Sequence, residues 1–220
     1  MKKLLTVFVL LSVLLVSGCQ KQDSDAWRFK QEYEALNGQK DEDGKSYSTI
    51  DIPKENTVRY VSAEQIIEGF ANGTHVIYMG WPSCGWCRRM LPVLLETVRE
   101  YPGISIYYYS IEQARSSYEN DPSSSLADVY RRITDEISRD DYDLTAEVSY
   151  FADGRMRLPS SLVFFIKEGE IIGVHKRTVE SHVDAYEPLS EAQQKELADI
   201  YRTFLQEMVR KDAPGCSDCD

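Results

Sequence analysis

A chain of 220 residues is long enough for one well-packed domain with tails and short for two full domains. Its 42% hydrophobic and 28% charged content selects neither a disordered polar chain nor a membrane bundle. The formal net charge of −11 argues against nucleic acid or an anionic bilayer as a binding surface.

The first 18 residues stand apart. Lys2 and Lys3 precede an apolar run from Leu4 to Val16, too short to span a bilayer comfortably, and 1–18 read as a secretory signal that is absent from the mature protein. Val16-Ser17-Gly18-Cys19 resembles the bacterial lipoprotein lipobox. That resemblance implies acylation of Cys19 (a palmitate-type anchor), a membrane partner reached through the lipid, and an extracytoplasmic location. Each buried methylene would contribute about 0.8 kcal/mol to anchoring. Plain secretion with an unmodified Cys19 is the alternative. Loss of the two leader lysines would take the net charge from −11 to −13. Outside the cytosol the remaining cysteines, Cys84, Cys87, Cys216 and Cys219, can be oxidised, and they form two C-x-x-C pairs.

Residues 19–56 are polar and read as a tether, with a short docking helix around Trp27, Phe29 and Tyr33 as the alternative. A domain is expected over 57–211. Ser62-Ala63-Glu64-Gln65 has capping-box spacing, and Ile66, Ile67 and Phe70 share one face, which predicts a helix to about Asn72-Gly73. His75 to Met79 reads as a buried strand. Leu91, Leu94, Leu95 and Val98 recur at helical spacing until Pro102-Gly103, and a strand follows from Ile104 to Ser110. Strand, helix and strand make a βαβ unit with a parallel crossover. Leu126, Val129, Tyr130, Ile133 and Ile137 mark an amphipathic helix. Ser161 to Ile166 and Glu170 to His175 flank Lys167-Glu168-Gly169 as a hairpin. Ser190-Glu191-Ala192-Gln193 caps a last helix with Leu197, Ile200, Tyr201, Phe204, Leu205 and Met208 facing inward. The order predicts an α/β sandwich with a mixed central sheet flanked by helices.

Trp81-Pro82-Ser83-Cys84-Gly85-Trp86-Cys87 follows the first of these strands and opens a helix. Two cysteines three apart lie on one face of a helical turn, so their sulfurs can bond with modest adjustment. Free N–H groups and the positive dipole end favour a thiolate on the first, making Cys84 the expected nucleophile and Cys87 the deeper resolving thiol. Arg88 and Arg89 add nearby positive charge, although arginines on an exposed helix face usually serve only solvation.

Over about residues 60 to 211 these features resemble the thioredoxin superfamily: the C-x-x-C after a strand and Trp81, Pro92 five residues beyond Cys87, and Leu158-Pro159-Ser160 opening the hairpin strand. The resemblance implies a thioredoxin-like fold, a kinking role for Pro92, and a cis peptide bond at Pro159 beside the cysteines. It also implies substrate binding by the backbone of Leu158, by Pro159 and by Trp81 and Trp86 framing an exposed sulfur. Three departures stand out. Gly85-Trp86 separates the cysteines, Tyr78 occupies the place of the family's buried acid six residues before Cys84, and the 75 residues from Cys84 to Pro159 imply a helical insertion over about 112–150. The lipobox, the Met79-Gly80-Trp81 approach and the insertion loosely resemble the bacteriocin transport accessory proteins of Gram-positive bacteria.

In the tail at 212–220, Cys216 and Cys219 are a candidate second redox pair, with a local disulfide or inert thiols as the preferred reading. Zinc on all four cysteines fits the arithmetic of two C-x-x-C pairs but not the redox setting of the first, and His75, His175 and His182 share no ligand spacing. No metal and no cofactor beyond the cysteines is expected. The activity implied is a membrane-anchored thiol–disulfide oxidoreductase acting on extracytoplasmic protein thiols or disulfides through Cys84 and Cys87. The alternative is a non-enzymatic accessory module that binds a secreted peptide and keeps a structural disulfide.

Overall fold

The computed structural model describes residues 24–211, so the leader, Cys19, Cys216 and Cys219 lie outside the described residues. In chain order the elements are α1 (Asp25–Glu34), β1 (Val58–Tyr60), α2 (Ala63–Ala71), β2 (His75–Met79), α3 (Gly85–Arg99), β3 (Ile106–Tyr109), α4 (Glu112–Asn120), α5 (Ser125–Ile137), β4 (Ser149–Tyr150), β5 (Met156–Arg157), β6 (Leu162–Lys167), β7 (Glu170–Lys176) and α6 (Glu191–Val209). The five-stranded sheet runs β1-β3-β2-β6-β7. β1, β3 and β2 are parallel, whereas β6 and β7 run antiparallel, so the sheet is mixed and the architecture is α/β.

The strands alternate in what they bury. Phe164 meets Phe70 of α2 with ring centroids 4.9 Å apart, and its neighbour Phe165 meets Tyr201 and Phe204 of α6 on the opposite face. With helices on both faces, β2 has no solvent side, and all five of its residues are buried. Both capping boxes form: Ser62 with Gln65 at α2 and Ser190 with Gln193 at α6. The β6–β7 hairpin turns through Glu168 and Gly169, both at positive φ (54° and 87°), the conformation a two-residue hairpin turn of matching twist requires.

The polar segment is not a tether from residue 24 onward. Ser24 caps α1, which drives Phe29 and Tyr33 wholly into the core. The irregular stretch after it is laced back: Asn37, just past the helix, donates to the Ile50 carbonyl (2.7 Å) and accepts from its N–H (3.0 Å), while Lys30 of α1 donates to the Ile52 carbonyl (2.7 Å). Burying an aromatic side chain contributes about 1.5–3 kcal/mol. Two such anchors one turn apart, with buried Ile50 and Ile52, outweigh the polarity that suggested a spacer.

The region between β3 and the last hairpin holds more than the expected single helix. α4 precedes α5 and the two stack through Tyr118 and Tyr130, with centroids 5.3 Å apart. The small β4–β5 hairpin follows. β1 is a further strand not anticipated, and β3 starts at Ile106 rather than Ile104.

Candidate functional site

β2 ends at Met79, and the chain passes through Gly80, Trp81, Pro82 and Ser83 to Cys84, the N-cap of α3. Its sulfur does the work a serine oxygen usually does there, accepting the Cys87 N–H at 3.1 Å, while its carbonyl accepts the first helical bond from Arg88 N–H, also at 3.1 Å. Cys87 lies one turn in, with Pro92 farther along the same helix. Both cysteines are free thiols.

The two sulfurs differ in environment. Burial pushes the Cys84 thiol up, but hydrogen bonds from the Cys87 thiol, the Ser160 hydroxyl and the Cys87 and Trp86 N–H groups outweigh it and hold Cys84 below the ordinary thiol value. Burial is also the chief influence on Cys87, and sharing its proton with Cys84 adds to it, so Cys87 stands well above the ordinary value. The Tyr78 hydroxyl and the Trp81 N–H oppose that rise. The pair is therefore polarised in the sense an exchange reaction needs, with a nucleophile first and a protonated partner behind it.

Access is narrower than the sequence suggests. Cys84 is only 7% exposed, so its sulfur is not open to solvent as expected. Trp81 is buried beneath the Arg115 guanidinium, 4.8 Å above its ring. Trp86 stands on the other side, half-buried, with Arg177 over its ring at 5.2 Å and His182 edge-on at 5.5 Å. A groove of about 430 Å³ opens beside Trp86, lined in part by Lys176, Arg177, His182 and the exposed Val183.

Leu158 and Pro159 correct two expectations. Among the described residues no peptide bond is cis, so Pro159 follows a trans bond. The trans isomer is the intrinsic preference by about 0.5–1 kcal/mol. Leu158 is fixed on both sides, and the reversal into β6 is made instead at Ser161, with φ of 60°. The fixing groups come from the insertion: Leu158 N–H donates to Tyr130 Oη (2.9 Å) and its carbonyl accepts from Arg115 (3.2 Å). The backbone expected to receive an extended partner is satisfied within the chain. Ser160, the next residue but one, reaches Cys84 instead.

Arg88 is not a surface charge. It is 1% exposed and donates to the carbonyls of Ser48 (2.7 Å), Tyr33 (2.7 Å) and Pro82 (3.1 Å) and to Asn37 Oδ1 (2.6 Å). It thereby pins the segment 33–48 to the cysteine-bearing turn. Arg89 binds the carbonyls of Ala185 and Tyr186, holding the loop before α6 against the same turn.

The structure thus brings Trp81, Cys84, Trp86 and Cys87 together with Ser160, and sets Leu158 and Pro159 alongside without a free backbone. Tyr33 and Tyr130 were expected only as helix packing residues and Arg115 not at all; their places at the site depend on packing far from the motif in the chain. The calls on Cys19, Cys216 and Cys219 lie outside the described residues. Val209 ends α6 near the Lys167 end of β6, where Lys167 and Glu207 are 4.0 Å apart, and this is the end of the sheet opposite Cys84. Among the described residues no group of three His, Cys, Asp or Glu could hold a metal ion, and no helix is long and apolar enough to cross a membrane. No protein-family model and no curated protein matches the chain.

Proposed function

We propose that the protein is a thiol–disulfide oxidoreductase of thioredoxin-like fold, exported, held at a membrane by lipid on Cys19, and exchanging disulfides with extracytoplasmic proteins. The observation that carries the reading is the polarised pair: Cys84 as a sulfur N-cap of α3, bonded by the Cys87 N–H and by Ser160, with Cys87 one turn deeper and protonated. In exchange, the Cys84 thiolate attacks a partner disulfide to form a mixed disulfide, and Cys87 displaces the partner by closing the Cys84–Cys87 bond. Run backwards, the same steps oxidise a partner dithiol. The residues themselves supply all the chemistry required.

A Cys87→Ser variant tests this, because it cannot resolve the mixed disulfide. Expressed in a cell that exports it, the variant should accumulate adducts with cell-envelope proteins that vanish on reduction and in a Cys84→Ser/Cys87→Ser double variant. Absence of adducts, with binding to a partner retained when both cysteines are replaced, would sink the enzyme reading. Cys19→Ala should release the protein from membranes, and unchanged membrane association would count against the anchor.

A second reading has support of its own. The low exposure of Cys84 and the closure of both Leu158 backbone groups by Arg115 and Tyr130 favour an accessory module that binds a secreted peptide, with the cysteines as a structural disulfide. The trapping experiment separates the two.

A further inference from the structure

A resolving cysteine reacts as its thiolate, and a wholly buried thiolate requires a hydrogen-bond donor to steady it. Cys87 is such a group, 0% exposed. The titratable and charged groups around it are Cys84 and Arg88 on its own helix or cap, Tyr78 from β2, Tyr33 from α1, Tyr108 from β3 and Tyr201 from α6. None is a carboxylate or a histidine. One of the phenols lies beside the sulfur: the Tyr78 hydroxyl and Cys87 Sγ both border the space in front of Gly80. Gly80 leaves the room for them, since a Cβ there would collide with the Tyr78 hydroxyl and approach Cys87 Sγ to 2.8 Å. Behind it, Tyr33 Oη lies 2.8 Å from Tyr78 Oη, and the Tyr33 carbonyl is held by Arg88.

We infer that Tyr78 is the hydrogen-bond donor to the Cys87 thiolate during resolution of the mixed disulfide, with Tyr33, delivered by the N-terminal helix, orienting its hydroxyl. The inference rests on the exchange reading above. In the step concerned, the Cys87 sulfur forms a bond to Cys84 Sγ. The bond from Cys84 to the partner sulfur breaks, and its electron pair leaves with the partner thiolate. Over the attack and the resolution together, the two cysteines are oxidised and the partner disulfide is reduced. The proton that Cys87 gives up is taken by the departing thiolate through solvent. Tyr78 keeps its own proton throughout, whereas a carboxylate in its place would bind one. Burial and the neighbouring groups hold Tyr78 well above the ordinary phenol value, so its hydrogen bond is present across the range in which thiols titrate. The pH dependence of resolution then reports Cys87 alone, without a carboxyl limb at lower pH.

The test uses the reduced full chain with Cys87 as its sole cysteine (Cys19→Ala, Cys84→Ser, Cys216→Ser and Cys219→Ser), titrating Cys87 by the 13C shift of its labelled Cβ. Adding Tyr78→Phe should raise the midpoint by about one pH unit, which at fixed pH is about a tenfold smaller thiolate fraction. Tyr33→Phe should raise it by less, and serves as the deciding variant if Tyr78→Phe does not fold. An unchanged midpoint in the folded variant overturns the inference. With Cys84 present, Tyr78→Phe should slow resolution of a preformed mixed disulfide about tenfold, while the first attack of Cys84 on a small aromatic disulfide keeps its rate. A Cys87→Ser chain that forms no mixed disulfide refutes the exchange reading, and the titration still decides whether Tyr78 governs Cys87.

Discussion

Replacing Arg88 with Met should detach the N-terminal segment from the cysteine-bearing turn. The guanidinium donates four hydrogen bonds, two of them to the buried carbonyls of Ser48 and Tyr33. Asn37 Oδ1 keeps the Ile50 N–H, and Pro82 O is partly buried, so those two acceptors lose less. Two carbonyls stripped of their donor cost about 1–3 kcal/mol each. Relief of the desolvation that pulls the Arg88 pKa down recovers part of this. The net expectation is a loss of about 3 kcal/mol, within the range for removing one partner of a buried charged network. In urea, with m of about 2 kcal/mol/M, the midpoint should fall by about 1.5 M. Hydrogen exchange should localise the change: the amides of Ile50 and Ile52 should lose protection ahead of β2 and β6. A variant within about 0.5 kcal/mol of wild type, with those amides protected as before, would refute the assignment of Arg88 as the clasp.

Iodoacetamide should label Cys84 and spare Cys87, with a rate midpoint below that of an ordinary thiol, and Ser160→Ala should move that midpoint up by removing one hydrogen bond to the sulfur; equal labelling of both cysteines would contradict the polarised pair. Arg115→Ala should free the Leu158 carbonyl and speed exchange with an extended peptide disulfide about 2- to 10-fold, the worth of one hydrogen bond of about 0.5–1.5 kcal/mol, while leaving exchange with a small disulfide unchanged. A stopped-flow comparison of the two substrates reads this, and equal effects on both would argue against backbone occlusion. His75 and His175 are held below 6.5, chiefly by burial, so on acidification the unfolded chain takes up their protons before the folded one does. Stability should therefore fall as pH drops below 6.5, by up to about 1.4 kcal/mol per pH unit for each histidine, and a His75→Gln/His175→Gln variant should show a flatter pH dependence in urea titrations.

The parts that were legible are those where chemistry is local. Capping boxes at Ser62 and Ser190 announce α2 and α6 because their partners lie three residues away, and the unbroken apolar run of β2 announces a strand covered on both faces. The cysteine spacing gave the turn and the order of the two thiols. What escaped depends on contacts distant in the chain. The spacing of Phe29 and Tyr33 allows a docking helix, but Tyr33 meets Tyr78 across 45 residues, so nothing local says that its hydroxyl reaches the site. Leu158 has a free backbone by motif, and only the packing of α4 and α5 brings Arg115 and Tyr130 to it. Arg88 reads as a surface arginine until the segment before it in the chain folds over.

The early start of order at Ser24 bears on reach and orientation. Were Cys19 acylated, only residues 20–23 would separate the lipid-bearing residue from the helix cap, a leash of at most about 18 Å however the chain runs. Asp25 accepts the Tyr60 N–H at 3.1 Å at the end of β1, and β1 is parallel to β3 and β3 to β2. The point where the leash enters the domain and the turn that carries Cys84 are therefore at the same, carboxyl end of these three strands, two strand spacings apart, or about 10 Å. A lipid on Cys19 would therefore tether the domain by the same end of the sheet that carries the cysteines.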